Sequence, residues 1–346
     1  MVIFPIIKIL GVAAISFIIA FFATPILTHF LYKYKLGKQI RDDGKTPIFT
    51  SLHKKKQGTP TMGGILIWGT VAFLALIILL LAKWLGPNTI FSDLNFLTRQ
   101  QTLLPLGILL FAAIVGLSDD LVGIFRKKGF KMRYRLILFG LIAIVGALWF
   151  YFKLDWDLIH VPFIGDFNIG IWYIPIFVFI IVATAFSTNQ TDGLDGLSGG
   201  VLLVAFCSYA VISFTQGRFE LAAFCGAIVG ALLAFLWFNI HPARFFMGDT
   251  GSMSLGVTLG VIAMLTNSLF FLPFIGFILV IEAFSTLLQM ASKKIRGKKI
   301  FLSAPIHHHF EGKGWPETKV TMRFWIIAGV MAFIGLILFL IDFNLF

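Results

Sequence analysis

Charged side chains are scarce in this sequence, where Asp, Glu, Lys and Arg together make up 13% of the 346 residues. A typical soluble domain is about 25% charged. So little charge cannot cover the surface of a water-exposed protein of this length, which excludes a soluble globular enzyme. The apolar fraction of 58% also excludes an intrinsically disordered chain, because such chains have low hydrophobicity.

Cysteine and acidic residues are also in short supply. The two cysteines, Cys207 and Cys225, lie within apolar runs, which excludes a disulfide scaffold and carries no redox signal. The 16 acidic residues are outnumbered by 28 Lys and Arg, so the formal net charge is +12. In a soluble protein this excess would suggest nucleic acid. In so apolar a chain it favours loops beside anionic lipid or an anionic substrate, and we predict no nucleic-acid partner.

Long apolar runs dominate what is present. A membrane-spanning helix needs about 20 apolar residues, and the runs predict an all-α polytopic membrane protein with about ten transmembrane helices. The run 255–290 is divided into two spans, because one helix of that length would reach about 54 Å, against a hydrocarbon core of about 30 Å. Asn267, Ser268 and Pro273 offer the break. The predicted spans are residues 9–31, 65–85, 103–121, 136–154, 171–186, 197–214, 221–238, 255–265, 269–290 and 324–343.

The distribution of positive charge assigns the two sides. With ten spans, the loops that follow the odd-numbered spans share one side and carry 23 of the 28 Lys and Arg. Because cytoplasmic loops are enriched in Lys and Arg, these five loops are predicted to be cytoplasmic and both termini periplasmic. On the opposite side, residues 155–170 mix apolar and turn residues and predict a small β-hairpin. With no visible linker or repeat, residues 1–346 are predicted to form one domain.

The chemically informative residues collect in the odd-numbered loops. A structural protein has little reason to gather carboxylates, glycines and histidines on one side, so we predict an active site there. A transporter, the alternative from another class, would be expected to carry its charged groups near the membrane midplane, often at broken helices in related halves.

Asp119 and Asp120 end the third predicted span. Ionisable residues near membrane depth are costly and tend to be functional, and acids at a helix C-terminus oppose the helix dipole. Two adjacent residues on a helix cannot face the same way. One of the pair is therefore predicted to hold a metal ion and the other to move a proton, and the sequence does not decide which does which.

Two further loops carry acids next to glycines. Asp192 and Asp195 would share a face on a helical turn, and Gly193 would let backbone N–H groups approach a phosphate. An EF-hand is excluded, because its last ligand position falls on an apolar residue within a span. Asp249 stands alone in a loop of small residues before a helix. It is a candidate metal ligand, and the amides of residues 251 and 252 could hold an anion at the helix start.

The remaining motifs are less specific. His307, His308 and His309 lack the Cys or spaced His of a zinc site, so hydrogen bonding to a sugar or pyrophosphate is favoured. Residues 54–64 are basic and Gly-rich but lack the Gly-Lys-Ser/Thr of a P-loop, so a nucleotide triphosphatase is not expected. Glu282, within the ninth span, is interpreted as a buried partner of a polar group or as lining a cavity.

Five motifs occur in the order seen in one enzyme family. They are residues 58–64, Asp119–Asp120, residues 189–196, 246–252 and 307–311, and they resemble those of the bacterial phospho-N-acetylmuramoyl-pentapeptide transferases, within the polyprenyl-phosphate sugar-1-phosphate transferase superfamily. The similarity covers nearly the whole chain.

The resemblance implies a reaction and a setting. Phospho-MurNAc-pentapeptide would pass from UDP-MurNAc-pentapeptide to undecaprenyl phosphate, giving lipid I and UMP in peptidoglycan synthesis, with Mg²⁺ as cofactor. The enzyme would lie in the bacterial inner (cytoplasmic) membrane, surrounded by membrane lipid, with its active site on the cytoplasmic face, as a homodimer. Direct attack by the lipid phosphate and a two-step path through a phosphorylated aspartate both remain open.

The resemblance also implies roles for individual residues. Asp249 resembles the principal Mg²⁺ ligand, and Asp119 and Asp120 resemble the catalytic pair that activates the lipid phosphate and organises the metal site. Phe246 resembles an aromatic residue that stacks on uracil. The other matching positions resemble the substrate-binding residues, and they are Lys56, Thr61, Lys127, Asn189, Asp192, Gly193, Asp195, Asn239, Gln289, His307, His308 and His309.

Three positions depart from the family pattern. A Lys is common where Gly123 stands, an Asn where Phe186 stands, and a Leu where Gln190 stands. These departures leave the detailed nucleotide contacts open but keep the five aspartates. The alternatives are a sister enzyme that moves GlcNAc-1-phosphate or another sugar phosphate, against which the His triplet argues, and a non-catalytic relative, which would be expected to have lost some aspartates.

Overall fold

The computed structural model of the chain describes residues 3–37, 56, 58–98, 101–126 and 129–345. Within these ranges the chain is almost entirely helical, which confirms the all-α prediction. The helices are α1 (Ile3–Lys33), α2 (Gly64–Leu85), α3 (Ile90–Leu94), α4 (Leu103–Phe125), α5 (Met132–Lys153), α6 (Tyr173–Thr191), α7 (Leu197–Thr215), α8 (Phe219–Asn239), α9 (Asp249–Leu265), α10 (Leu272–Ile275), α11 (Phe277–Arg296), α12 (Ile306–Gly312) and α13 (Glu317–Phe343).

The helix lengths identify a multi-pass membrane protein. Among the described residues, eight helices are long and apolar enough to cross a membrane, and the bent pair α10 and α11 would make a ninth. Helix α9 is apolar but has only 17 residues. Each of the ten predicted spans overlaps one of these helices. The ten-span topology and the side of the termini remain predictions.

The long run 255–290 is broken twice. The break at residues 266–268 was predicted, and there α9 ends and Asn267 adopts a positive φ of 49°. Pro273 was also named as a breaking residue, but a bend at Gly276 was not predicted. At Gly276 the chain bends by 84° between α10 and α11, so the predicted ninth span is not a straight helix. Pro273 at the start of α10 and the low helix propensity of glycine explain why this segment does not continue as one helix.

Helix α9 forms the centre of the molecule. Every one of its residues is buried, and α2, α4, α6 and α7 pack around it. The approach is close enough to require glycine. A Cβ on Gly116 of α4 would lie 2.5 Å from the Asp249 carbonyl oxygen, and a Cβ on Gly64 of α2 would lie 2.2 Å from the Gly251 Cα. Small residues let helix backbones meet in this way, and the start of α9 is thereby held against α2 and α4.

The predicted hairpin is confirmed at the opposite end of the helices. Strands β1 (Leu158–Val161) and β2 (Gly165–Asn168) pair antiparallel, with His160 opposite Asp166. The hairpin follows the C-terminal end of α5. Asp119, near the C-terminal end of α4, and Asp249, at the N-terminal end of α9, lie at the opposite end of the molecule. Helices α5, α9 and α13 therefore each run from the acidic end of the molecule toward the hairpin end.

Candidate active site

Asp249 and Asp119 share one cation, Arg135, which lies in the first turn of α5. Its Nη2 is 2.9 Å from Asp249 Oδ2 and its Nε is 2.5 Å from Asp119 Oδ2. All three side chains are largely buried, so the charges are poorly screened by water. Asp119 also accepts a hydrogen bond of 2.6 Å from the Phe130 N–H. The structure thus brings together the two predicted acids and a guanidinium that the sequence analysis did not single out.

Asp120 faces elsewhere and caps α9. Its two carboxylate oxygens accept hydrogen bonds from the Asp249 N–H (3.1 Å) and the Thr250 N–H (3.0 Å). A carboxylate at this position also complements the positive end of the helix dipole. The amides of Gly251 and Ser252, expected to hold an external anion, instead donate to the Gly248 carbonyl. That expectation is wrong, because the anion at this helix start is the chain's own Asp120.

The turn between Thr191 and Leu197 separates its two aspartates. Helix α6 ends at Thr191, so Asp192 and Asp195 do not share a helical face as expected. Asp192 accepts a hydrogen bond of 3.2 Å from the Gly248 N–H, whereas Asp195 belongs to a different network. One helical turn earlier, Asn189 donates a hydrogen bond of 2.6 Å to Asp249 Oδ1. Asn189 and Asp192 therefore join the Asp249 side of the site.

Lys56 is the centre of the second network. Its ammonium lies 2.6 Å from Asp195 Oδ1 and forms a short contact with Glu317 Oε1. Asp195 Oδ2 is 2.9 Å from His241 Nδ1 and accepts a hydrogen bond from the Ala243 N–H. Burial alone would raise the pKa of Asp195, but Lys56 and these hydrogen bonds hold that pKa below its usual value. Asp195 is therefore an ionised group at neutral pH.

This second network resembles a metal site in composition only. Asp195, His241 and Glu317 are the one group of three close His, Cys, Asp or Glu ligands in the part of the chain that the structure describes. One of the three ligands is His241, which offers a ring nitrogen where Mg²⁺ prefers oxygen, and the ammonium of Lys56 contacts both carboxylates. We therefore assign this group to substrate binding or structure and not to metal.

Two predicted site residues, Phe246 and Thr61, lie near Gly248. The ring of Phe246 is half-buried, and the Lys56 ammonium lies 5.8 Å from its centroid. Thr61 Oγ1 is buried without a hydrogen-bond partner among the described residues, and a Cβ on Gly248 would lie 2.7 Å from it. Gly248 has a φ of 76°, so both its conformation and its surroundings require glycine. The Thr61 hydroxyl is therefore a buried polar group whose hydrogen-bonding capacity is not used by the described residues.

The side chains of Asn239 and Gln289 form hydrogen bonds with backbone groups of the protein. Asn239 accepts from the Gly196 N–H (3.0 Å) and donates to the Phe245 carbonyl (2.8 Å), which ties the 192–196 turn to the loop before α9. Gln289 accepts from the N–H groups of Ile300 and Phe301 and donates to the Phe301 carbonyl. Both side chains position loops in this structure, whereas substrate contact was expected of them.

The three histidines start α12 and use their Nδ1 atoms within the protein. His307 Nδ1 lies 2.8 Å from Glu282 Oε2, and His308 Nδ1 lies 2.6 Å from Glu311 Oε2. His309 Nδ1 accepts from the Leu302 N–H, and burial together with Lys313 lowers the pKa of His309, in keeping with a neutral ring. Glu282 is therefore a buried partner, which was one of its two interpretations.

His307 also links α12 to the aspartate turn. A Cβ on Gly193 would lie 2.2 Å from His307 Nε2, so the ring packs directly on the glycine. This contact explains the need for glycine at position 193, for which a phosphate approach was predicted. Lys127, the remaining predicted substrate residue, lies outside the described residues.

Three functional candidates were missed by the sequence analysis, namely Arg135, His241 and Glu317. Arg135 was counted among the positive charges of loop 3 as a topology signal. Its position one turn inside an apolar helix, just after the acid-bearing span, could have marked it, because a charge there needs a partner. Glu317 and His241 carry no comparable signal, since their neighbours come from distant parts of the chain.

The donor set near Asp249 is chemically suited to a magnesium ion. Carboxylate and amide oxygens are the ligands that Mg²⁺ prefers, and Asp249 and Asp119 already converge on one cation, Arg135. The buried Thr61 hydroxyl adds an unsatisfied oxygen nearby. The residues present therefore fit a divalent ion in this region.

Two family models match segments of the chain that contain these residues. Residues 102–267 match the model described as glycosyl transferase family 4, and residues 56–67 match phospho-N-acetylmuramoyl-pentapeptide-transferase signature 1. The first match contains Asp119, Asp195 and Asp249, and the second contains Lys56 and Thr61. All members of the two networks except Glu317 fall within matched segments.

Curated relatives match over nearly the full length. The chain is similar to the phospho-N-acetylmuramoyl-pentapeptide-transferase of Chloroflexus aggregans, with 40% identity over 95% of this chain and 89% of that protein. It is 39% identical to the enzyme of that name from Clostridium perfringens, over 95% of this chain and 96% of the relative. The corresponding Geobacillus thermodenitrificans protein is 36% identical, over 93% and 95%.

Proposed function

The chain belongs to the family of phospho-N-acetylmuramoyl-pentapeptide transferases, and we propose that its two charged networks hold the two substrates of that reaction. It is a multi-pass membrane transferase of peptidoglycan synthesis. The observation that carries the proposal is the pair Asp119 and Asp249, held on Arg135 at the start of the buried helix α9.

The reaction brings two anions together. The phosphate of undecaprenyl phosphate attacks the sugar-bound phosphate of UDP-MurNAc-pentapeptide, a new P–O bond forms to the lipid phosphate, and UMP leaves. Phosphoryl transfer of this kind depends mainly on positioning and on positive charge that offsets the repulsion between phosphates. Arg135 supplies such a charge permanently, because a guanidinium does not lose its proton in proteins.

Magnesium would add to that charge. Asp249 would hold the ion, which would offset the negative charge of both phosphates when bound. Asn189 orients Asp249 through its hydrogen bond of 2.6 Å, and Asp120 fixes the backbone of Asp249 through the cap on α9. These contacts support a preorganised site, in which the ligand side chains do not have to search for their positions.

The Lys56 network suits the nucleotide. Phe246 offers a half-buried ring on which uracil can stack, and Lys56 beside it can bind a phosphate or base oxygen. Asp195 holds Lys56 in place and is itself tied to His241 and Ala243. The buried Thr61 hydroxyl lies next to Gly248 and is our candidate for a contact to the pyrophosphate.

Proton removal from the lipid phosphate is assigned to Asp119. Asp120 already accepts two backbone N–H groups, so its oxygens serve the helix cap. Asp119 contacts Arg135 next to Asp249, and a divalent ion bound at Asp249 would make the net charge of this group positive toward an incoming phosphate. Asp119 is therefore placed to take the proton of a monoanionic phosphate as that phosphate attacks.

The direct experiment measures product formation by the purified, detergent-solubilised protein. With undecaprenyl phosphate as acceptor, we expect lipid I from UDP-MurNAc-pentapeptide and no product from UDP-GlcNAc. Activity should be lost in EDTA and restored by Mg²⁺. Equal transfer from UDP-GlcNAc would make the chain a sister sugar-phosphate transferase, and full activity in EDTA would remove the metal from the proposal.

A second experiment tests location. We propose that the protein lies in the bacterial inner membrane with its active site on the cytoplasmic face, which the concentration of Lys and Arg in the loops at that end supports. The homodimer is proposed from the family resemblance alone. In a Cys207→Ser background, Leu302→Cys reports the active-site end and Ile164→Cys the hairpin turn, since both side chains are exposed. Only Ile164→Cys should react with an impermeant thiol reagent added outside intact cells, after the outer membrane is made permeable. Reaction of Leu302→Cys instead would invert the topology.

A further inference from the structure

His160 lies between two carboxylates at the end of the molecule opposite the active site. Its Nδ1 is 2.8 Å from Asp166 Oδ1, and its Nε2 is 2.7 Å from Asp342 Oδ2. Ionised carboxylates only accept hydrogen bonds, and a neutral imidazole has a single N–H to donate. The imidazolium has two. The observed geometry, with a carboxylate oxygen at each ring nitrogen, therefore corresponds to protonated His160.

The same residues dock the hairpin onto the helices. Asp342, in the last turn of α13, accepts a second hydrogen bond of 2.6 Å from the Phe163 N–H in the hairpin turn. The His160 N–H donates to Asn267 Oδ1 at 3.0 Å, in the segment that follows α9. Asp342 is 2% exposed, so its contacts with the hairpin are shielded from water.

Apolar packing contributes little to this docking. Within β1 and β2, Ile159 is the one buried residue, and the others are partly or fully exposed. A cavity of about 230 Å³ lies between the hairpin and the helix ends. Where few apolar contacts exist, the polar contacts decide whether a segment stays docked.

We propose that His160 is a proton-dependent clamp, which docks the β-hairpin on the C-terminal end of α13 when protonated and releases it when neutral. Loss of one proton leaves one ring nitrogen as a lone pair facing a carboxylate oxygen, which repels it. Asp166 and Asp342 are the charged groups that line the cavity with His160. The other lining residues are Gln216, Thr266, Asn267, Phe271, Phe339 and Phe343, which carry no charge.

The direction of the pH dependence follows from the surroundings of the ring. Burial by itself would lower the pKa of His160, but its hydrogen bonds to Asp166 and Asp342 and the charges of both acids outweigh burial and raise that pKa. Because the pKa of His160 is raised, the clamp contributes its full stability at a pH below the ordinary histidine pKa. That stability is lost as the pH rises through the raised pKa. Docking is therefore favoured at acidic and neutral pH.

The test measures the mobility of the hairpin turn by electron paramagnetic resonance. A nitroxide is attached to Ile164→Cys in the Cys207→Ser background, because Ile164 is 66% exposed and makes no contact in the clamp. We expect a slow, ordered spectrum below the ordinary histidine pKa of about 6.5 that becomes mobile as the pH is raised through the higher pKa of His160. A label at Trp84→Cys, exposed at the C-terminal end of α2, is the matched control and should not change with pH.

Two clamp variants complete the test. His160→Gln and Asp342→Asn should each give a mobile hairpin at every pH, while the Trp84→Cys label stays as in the parent protein, which shows that the fold is kept. A hairpin spectrum that does not change with pH in the parent protein would overturn the proposal. So would a pH-dependent transition that persists unchanged in His160→Gln, because another group would then be responsible.

Discussion

Arg135 and His160 occupy similar places at opposite ends of the molecule. Each is a cation between two carboxylates, Asp119 and Asp249 for Arg135, and Asp166 and Asp342 for His160. Helix α5 carries Arg135 in its first turn, and its C-terminal end leads into the hairpin that carries His160. The difference lies in the cation. A guanidinium stays charged at any physiological pH, whereas the imidazolium of His160 loses its charge as the pH rises through its raised pKa.

This difference matches the two tasks. An active site that receives two phosphates gains from positive charge that does not depend on pH, and Arg135 provides it. The opposite end binds no substrate in our proposal. Protonation and deprotonation of His160 there alter docking of the hairpin and do not affect the transfer reaction. Lys56, between Asp195 and Glu317, is a third cation of this kind and belongs with Arg135 at the active-site end.

The largest expected effect is on transfer activity, and it distinguishes the active-site end of the molecule from the hairpin end. Asp249→Asn is nearly isosteric, so we expect a folded protein whose transfer activity falls by at least about a hundredfold, because a charged metal ligand is lost. The matched carboxamide at the other end, Asp342→Asn, should keep near-parental activity. The measurement is lipid I formation at saturating Mg²⁺, with thermal unfolding as the control for folding. Similar losses in both variants would show that the ends do not have separate roles.

Changing the cation itself gives the next effect. Arg135→Gln leaves Asp119 and Asp249 without their shared charge, and we expect activity to fall by roughly a hundredfold. Arg135→Lys keeps the charge but loses the planar fork that contacts both acids, so it should retain a measurable part of the activity. Initial rates for the three proteins, measured at matched Mg²⁺, decide the matter. Equal activity in Arg135→Gln and the parent would reduce Arg135 to a structural role.

The two adjacent acids at the active-site end should differ in their pH behaviour. A phosphate monoester has a second pKa of about 6, so at higher pH the lipid phosphate no longer needs a base. We expect Asp119→Asn to be rescued in part as the pH rises from about 6 to about 9. Asp120→Asn should show no such rescue and should lose about 1 kcal/mol of stability, because the charged cap on α9 is weakened.

The pH–rate profiles and the unfolding temperatures of both variants test this assignment. Rescue of Asp120→Asn in place of Asp119→Asn would exchange their roles. Two flat, inactive profiles would exclude a general base in the pair and leave only an electrostatic contribution.

The smallest expected effect concerns Lys56. Lys56→Met should raise the KM for the nucleotide substrate about tenfold and change kcat less, since the cation acts on binding in our proposal. It should also lower the unfolding temperature at neutral pH. Because the pKa of Asp195 is held below its usual value, the stability that Lys56 provides is present above about pH 4 and is lost as the pH falls further.

The stability difference between Lys56→Met and the parent should therefore narrow at the acid end of that range. The KM is measured against UDP-MurNAc-pentapeptide, and unfolding is followed from about pH 3 to about pH 7. A stability difference that stays constant with pH would mean that Asp195 is not the acid that depends on Lys56. A change in kcat alone would move Lys56 from nucleotide binding to the chemical step.

Much of the fold could be predicted because the signal is local. Apolar runs of about 20 residues identify helices, and the break at Asn267 and the hairpin at residues 158–168 follow from turn residues. The bend of 84° at Gly276 was missed, because the apolar run continues through it. A glycine within an apolar segment is compatible with both a straight and a broken helix, and packing decides between them.

The candidate site was predicted in its residue types and less well in its contacts. Asp119, Asn189, Asp192 and Asp249 do converge. The prediction that Asp192 and Asp195 share a helical face was wrong, because α6 ends at Thr191, before both residues. Asn239, Gln289 and Nδ1 of the three histidines turned out to bind the protein itself. A sequence motif identifies polar residues near a site, and it does not distinguish those that face a ligand from those that hold loops.

The sequence by itself determined the membrane class, the number of apolar segments and the end of the molecule at which acids, glycines and histidines collect, because these depend on composition and on periodicity along the chain. Only the tertiary structure decided which charges meet. Arg135 lies between Asp119 and Asp249, Glu317 meets Lys56, and Asp342 meets His160. These partners are far apart in sequence, and their pairing follows from how the helices pack around α9. No local pattern records that packing, since an isolated charge in an apolar chain indicates that a partner is needed and not which residue provides it.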